Sequence, residues 1–240
     1  MFNTPSPTPA YLLELDDMST YTAMEVFNEV NINGAAFSGV GCLVYFTNTV
    51  DDINFPSPGN NNHLWTWSLT SPGSDPVYVG EMLEIGASTG FNRADGLAFS
   101  NGDLYASDQD DGLYRIDEFL NAELVVPYSD EIVGGIASDS SSGIIYGLDD
   151  RNLEIIRFDL DSMSVVSVAS YPTMGGSVVR DIDGLAAGGG KLYLITDEPG
   201  NFYIYDLAQQ QYVETIESPF TNGEIFSGAA YVTGSGLGEN

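Results

Sequence analysis

Short apolar runs, four to a unit, recur along the chain between turn-forming residues. Each unit opens on a segment of small residues: Asn33-Gly34-Ala35-Ala36, Asp95-Gly96-Leu97-Ala98, Gly134-Gly135-Ile136-Ala137, Asp183-Gly184-Leu185-Ala186 and Ser227-Gly228-Ala229-Ala230. A tight turn and a second apolar run follow, as CLVYF (42–46), DLYAS (103–107), IIYGL (144–148) and KLYLI (191–195). Third runs are HLWTWSL (63–69), GLYRID (112–117), EIIRFDL (154–160) and NFYIYDL (201–207). Fourth runs are PVYVGEM (76–82), AELVVPY (122–128), SVVSVASY (164–171) and QYVETIE (211–217). Runs of this length, rich in Val, Ile, Tyr and Phe and bounded by Gly, Asp and Asn, predict strands. No helical periodicity longer than about two turns competes with them.

Four strands per unit at roughly 40–50 residues, lengthened in the first unit by one insertion, is the period of a β-propeller blade. Inner strands converge on the propeller axis, where only Gly and Ala let backbones approach. The reading is an all-β, single five-bladed β-propeller with four antiparallel strands per blade. Its blades span approximately 29–84, 85–128, 129–172 and 173–220, and the last combines 221–240 with 1–28. That blade would be closed by both termini: 224–233 as inner strand, residues 1–3 as a stub of the second, then 10–17 and 20–28. An open β-solenoid, a two-sheet sandwich and other blade counts are the alternatives.

The segments DGLAFSNGDLYASDQDDGLYRID (95–117) and DIDGLAAGGGKLYLITDEPGNFYIYDL (181–207) resemble the broad superfamily of NHL and SMP-30 (gluconolactonase)-like propellers. The resemblance covers nearly the whole chain and implies the architecture. SMP-30-like lactonases hold a divalent metal near the axis through one Glu, one Asn and one Asp. That triplet has no counterpart here, so the lactonase activity is not carried over. WD40 propellers match poorly, since the chain has 2 Trp and no Gly-His…Trp-Asp pairing.

Charge changes the picture most. Six Lys and Arg stand against 35 Asp and Glu, a formal net charge of −29. Nucleic-acid binding needs clustered cations, which this chain lacks, and an anionic membrane surface is disfavoured for the same reason. A single cysteine, Cys42, excludes an intrachain disulfide and a Cys-based zinc site. A single histidine, His63, excludes His-rich metal sites. No P-loop, G-x-S-x-G elbow or long apolar span is present. Residues 1–10 have neither the basic nor the apolar region of a signal peptide.

In a propeller the connections from second to third strands, and from one blade to the next, share a face. That face receives the longer, acidic loops and is the expected binding face. Asp51, Asp52, Asp108, Asp111, Asp149 and Asp197 fall in equivalent loops. Asp95, Asp181 and Asp183 start inner strands near the axis and form the candidate metal set. Oxygen-rich clusters suit Ca²⁺, the one cofactor entertained, although Asp in turns commonly bonds its own backbone. Arg93 and Arg180 sit in register before Asp95 and Asp183, either neutralising them or gripping an anion. The 49–63 insertion brings Phe55 and His63, beside Trp65 and Trp67, as contact residues. The tryptophans themselves read better as packing between blades.

The expected function is a non-catalytic propeller module for binding or assembly, with protein partners or a surface glycan. Its expected setting is an extracellular or virion surface, with the cytosol of a halophile as the third reading. The alternative is a metal-dependent hydrolase, a lactonase or a five-bladed glycosidase.

Overall fold

The computed structural model describes residues 2–4, 8–14, 17–27, 31–49, 62–71, 73–85, 91, 94–109, 111–128, 133–139, 142–180, 182–196, 200–220 and 225–232. They form strands and turns, with no helix among them. The chain starts with β1 (Phe2–Thr4), β2 (Thr8–Glu14) and β3 (Asp17–Phe27). A first sheet follows in chain order: β4 (Asn31–Ser38), β5 (Leu43–Thr49), β6 (His63–Ser68) and β7 (Val77–Glu81). After the short β8 (Leu83–Glu84) come β9 (Gly96–Ser100), β10 (Asp103–Asp108), β11 (Gly112–Ile116) and β12 (Asn121–Pro127). The next sheet is β13 (Val133–Asp139), β14 (Ile144–Asp149), β15 (Glu154–Asp159) and β16 (Ser164–Ser170). A small ribbon, β17 (Thr173–Met174) and β18 (Ser177–Val178), precedes β19 (Ile182–Gly188), β20 (Lys191–Thr196), β21 (Asn201–Asp206) and β22 (Gln211–Glu217). β23 (Ile225–Gly228) ends the series and pairs antiparallel with β1, giving the sheet order β23-β1-β2-β3.

The fold is an all-β propeller with four four-stranded blades and one five-stranded sheet. This corrects the expectation of a uniform five-bladed ring with four strands in every blade. The extra strand is β8. Leaving β7, the chain crosses to the neighbouring sheet and lies parallel to β12, through Leu83 N–H to Leu120 O (2.9 Å) and Ile85 N–H to Ala122 O (3.1 Å). The buried Met82 anchors the crossing. Residues 173–178, between two blades, fold into their own ribbon around Gly175 and Gly176, both at positive φ.

Adjacent sheets pack face to face, so the middle strands are buried on both sides. Tyr146, Leu148 and Ile155 of one sheet meet Leu185, Leu192, Leu194 and Tyr203 of the next. Leu64 and Ala36 meet Leu97, Ala106 and Tyr114 in the same manner. At the axis the contact is backbone on backbone. A Cβ on Gly34 would lie 2.8 Å from Gly96 Cα, and one on Gly96 would lie 2.6 Å from Ile136 N. Three inner strands break register at this level, between Ile32 and Ala35, Val133 and Ile136, and Ile182 and Gly184, whereas β9 pairs with β10 without a break. These bulges turn the strand ends toward the axis.

Buried hydroxyls tie the blades together beside the glycines. Gly34 N–H donates to Thr47 Oγ1 (3.1 Å), which donates onward to Ala94 O (2.9 Å). One blade on, Ser107 Oγ donates to Gly134 O (2.8 Å).

Gly96→Ala is expected to destabilise the protein by about 2–3 kcal/mol, because the added methyl meets backbone that cannot yield. Gly39→Ala, where an added Cβ meets nothing within 4 Å, is the control and should stay within about 0.5 kcal/mol. Urea unfolding of both variants checks this; equal midpoints would mean the inner strands do not touch as described.

Candidate functional site

The acidic connections and the axis were the expected site. Asp51, Asp52, Phe55, Arg93, Asp181 and Asp197 lie outside the described residues. Those that are described have separate surroundings. Asp149 ends β14 and is fully buried, and its carboxylate caps its own turn. Oδ1 accepts from the N–H groups of Arg151 (3.0 Å) and Asn152 (2.9 Å), and Oδ2 from Asn152 Nδ2 (2.8 Å). Turn geometry therefore accounts for this aspartate. Asp117, Asp159 and Asp206, which close the third strands, repeat the pattern on their own turns.

Asp108 is buried at the end of β10, and its backbone carbonyl accepts from the Tyr128 hydroxyl at 2.7 Å. Asp111 is exposed and takes the Tyr128 N–H on its carbonyl. Arg180 is exposed as well. His63 is buried inside the first sheet, its ring 5.7 Å from that of Tyr78, so it presents no surface to a ligand. Trp67 is core, and Trp65 lies 5.1 Å from Tyr78.

Asp95 and Asp183 do come together at one end of the axis. With Gly34, Gly135 and Gly228 they line a cavity of about 10 Å³. That is room for about one water. Asp95 Oδ2 also accepts from Gln109 N–H at 3.2 Å. Among the described residues no group of three or more His, Cys, Asp or Glu side chains is disposed to hold a metal ion.

The larger cavity, about 350 Å³, opens at the other end of the axis, among the turns joining first and second strands. Ala35, Ala98, Ala137, Ala187 and Ala229 form its wall, and Ser38, Asn101 and Tyr231 its rim. Among the described residues no Asp, Glu, Lys, Arg or His lines it. The reading that favoured the long-loop face did not single out this mouth, although the alanine column spells it.

Sequence reasoning also passed over a tyrosine repeat. Tyr128 and Tyr171 each follow a fourth strand and reach back to the end of the second. The Tyr171 hydroxyl donates to Asp150 Oδ1 at 2.8 Å. Burial pushes both phenols well above their ordinary range, and neighbouring carboxylates add to it. Burial also raises the Asp150 carboxyl from 3.8 to about 6, with the Tyr171 hydrogen bond opposing and the Asp149 charge adding. The signal was present in VVPY (125–128) and VASY (168–171).

No family model matches the chain, and no curated protein does either. Solved structures do. A chain of the nidogen–laminin complex superposes with a TM-score of 0.58 at 14% identity, over 95% of this chain and 98% of that one. A structural-genomics protein of unknown function from Bacteroides thetaiotaomicron gives 0.63 at 13%, over 95% of this chain and 60% of the other. The glutaminyl cyclase of Myxococcus xanthus gives 0.59 at 21%, over 87% and 84%. At such identities the likeness is one of fold: a propeller-like all-β architecture shared with unrelated proteins, identifying no specific family.

Asp150 makes a pH dependence testable. Between about 4 and about 6 the folded protein holds a proton that the unfolded chain releases. Its contribution is therefore fully present below pH 4 and is lost as pH rises through about 6. After discounting for partial exposure, wild type should gain about 1–2 kcal/mol relative to Asp150→Asn between pH 7 and pH 4. Urea unfolding at both pH values measures this. A parallel pH dependence in the two proteins would show that Asp150 is not desolvated.

Proposed function

We propose that this chain is a non-catalytic propeller module of the broad NHL and SMP-30-like kind, used for binding or assembly with other proteins. Its place is on an extracellular or virion surface. The observation that carries the reading is the distribution of apolar surface. Val77, Val79, Leu83, Ile85 and Phe119 are all large, apolar and between 44% and 76% exposed. They lie on outer strands or the turns between them. Grouped apolar surface on a heavily charged protein marks a contact region. The repeated aspartates support the same reading, because their carboxylates serve their own turns.

No helix among the described residues is long and apolar enough to cross a membrane. A charge of −29 repels nucleic acid, so protein surfaces, basic ones above all, are the partners its field favours. Calcium enters as a candidate structural ion of the acidic loops and not as a reactant.

The reading is tested by assaying the purified chain for ester, lactone and aryl-glycoside hydrolysis with and without millimolar Ca²⁺, alongside melts in Ca²⁺ and in ionic-strength-matched NaCl. The expected result is no turnover above the buffer rate in either condition. A saturable Ca²⁺ stabilisation beyond the NaCl effect would mean only a structural ion. Calcium-dependent turnover abolished by Asp95→Asn and Asp183→Asn would overturn the proposal in favour of a metal-dependent hydrolase.

A further inference from the structure

Residues 77–81 and 83–85 are two pieces of edge backbone joined through Met82, whose own N–H donates to Asn62 O (2.9 Å) and whose carbonyl accepts from Asn62 Nδ2 (2.7 Å). β7 is the outermost strand of its sheet, and β8, reached through the buried Met82, is the outermost strand of the neighbouring five-stranded sheet. The two are locked together at the crossing. Leu120, in the turn before β12, accepts the Leu83 N–H on its carbonyl and lays its side chain against Gly80. Val77, Val79, Leu83 and Ile85 are exposed at 63%, 44%, 55% and 57% along this stretch, and Phe119, next to Leu120, at 76%. An outer strand with exposed apolar side chains is a template for another strand.

The surrounding charge says what kind of strand. Asp75 precedes the stretch, Glu81 and Glu84 lie within it at half-buried positions, and Glu118 stands next to Phe119. The nearby cation, Arg115, is engaged by Glu123 at 2.6 Å. A second copy of this chain is disfavoured: a two-fold contact would bring the same carboxylates face to face, on bodies that each carry −29. A partner with basic flanks gains attraction where a second copy meets repulsion.

We propose that residues 77–85, with Phe119 beside them, are a strand-addition site for an extended segment of another protein, apolar at alternate positions and basic at its ends. The inference rests on the binding-module reading and gives that module its surface. Backbone hydrogen bonds to β7 supply register, the valines and Phe119 supply apolar contact, and the carboxylates supply selection.

The test uses a short peptide of alternating valine and threonine with two lysines at each end, titrated against the whole chain. The same peptide with glutamates for lysines, and one with a central proline, are the comparisons. The lysine-flanked peptide is expected to bind saturably, at least about tenfold more tightly than either comparison, and to weaken with salt. Val77→Lys and Phe119→Lys should each weaken it about tenfold while leaving the melting midpoint in place, since both side chains are exposed. Val40→Lys, at an exposed turn elsewhere, should leave binding unchanged.

Failure of the lysine-flanked peptide to bind, equal binding of the proline peptide, or indifference to both rim substitutions would each overturn the proposal. Concentration-dependent dimers dissolved by Val77→Lys would overturn it too, with a second copy as the occupant. None of these outcomes bears on turnover, so the binding-module reading stands or falls separately.

Discussion

Everything in this propeller hangs on how closely its inner strands can approach. Backbone meets backbone where Gly34 lies over Gly96 and Gly96 lies under Ile136 N, and Gly228 repeats the contact against Asn33 O, 2.9 Å from its projected Cβ. No side chain larger than hydrogen fits between surfaces at that spacing. Once the strands are that close, buried N–H and C=O groups at the bulges need partners. Thr47 and Ser107 supply them across the blade boundaries. The same approach shapes the axis. It closes to about 10 Å³ where the glycines meet, and widens to about 350 Å³ where alanines replace them.

Charge is arranged around that scaffold in two ways. Many aspartates act locally, each bonding the N–H groups that follow it, so each costs little beyond the shared repulsion of a −29 body. Asp159 and Asp206 do so from the second and third following N–H groups and Asp117 from the second and fourth, in three successive blades, and Asp206 is held below the ordinary carboxylate range by the Gln209 N–H and its other turn donors. Asp150 is the opposite case. It is drawn inward by a tyrosine hydroxyl and shifts upward instead. One residue type thus appears with opposite pKa directions, decided by whether backbone donors or burial dominate.

The inner-strand column and the four-run repeat were legible because steric exclusion leaves a compositional mark: glycine where backbones touch, alanine just beyond. The five-stranded sheet was not legible. Its extra strand is the pair Leu83–Glu84, too short for any periodicity, and what places it is a crossing set by buried Met82. The acidic part of the candidate site was read from charge and loop position, and neither distinguishes a ligand from a cap. DD at 149–150 holds one of each kind of behaviour, a turn cap at Asp149 and a desolvated acid at Asp150, and only the distances to Asn152 and Tyr171 separate them. His63 begins the expected third strand but was also a contact residue of the polar insertion; pairing with Glu81 turns its side chain into the interior instead.

Surface composition and axial packing are connected by the same geometry. Strands fan outward from a crowded axis, so blades separate toward the rim and outer strands have the least to pack against. Most such positions here are polar, as in β22, where Glu214 and Glu217 face solvent. At 77–85 they are valine, leucine and isoleucine instead. An outer edge left apolar invites pairing between copies, and natural sheets counter this with charge. In this chain Glu81 and Glu84 stand among the apolar positions of the edge, with Asp75 and Glu118 beside them. Under the strand-addition proposal, that arrangement disfavours like-with-like pairing while leaving the edge open to a strand of opposite charge.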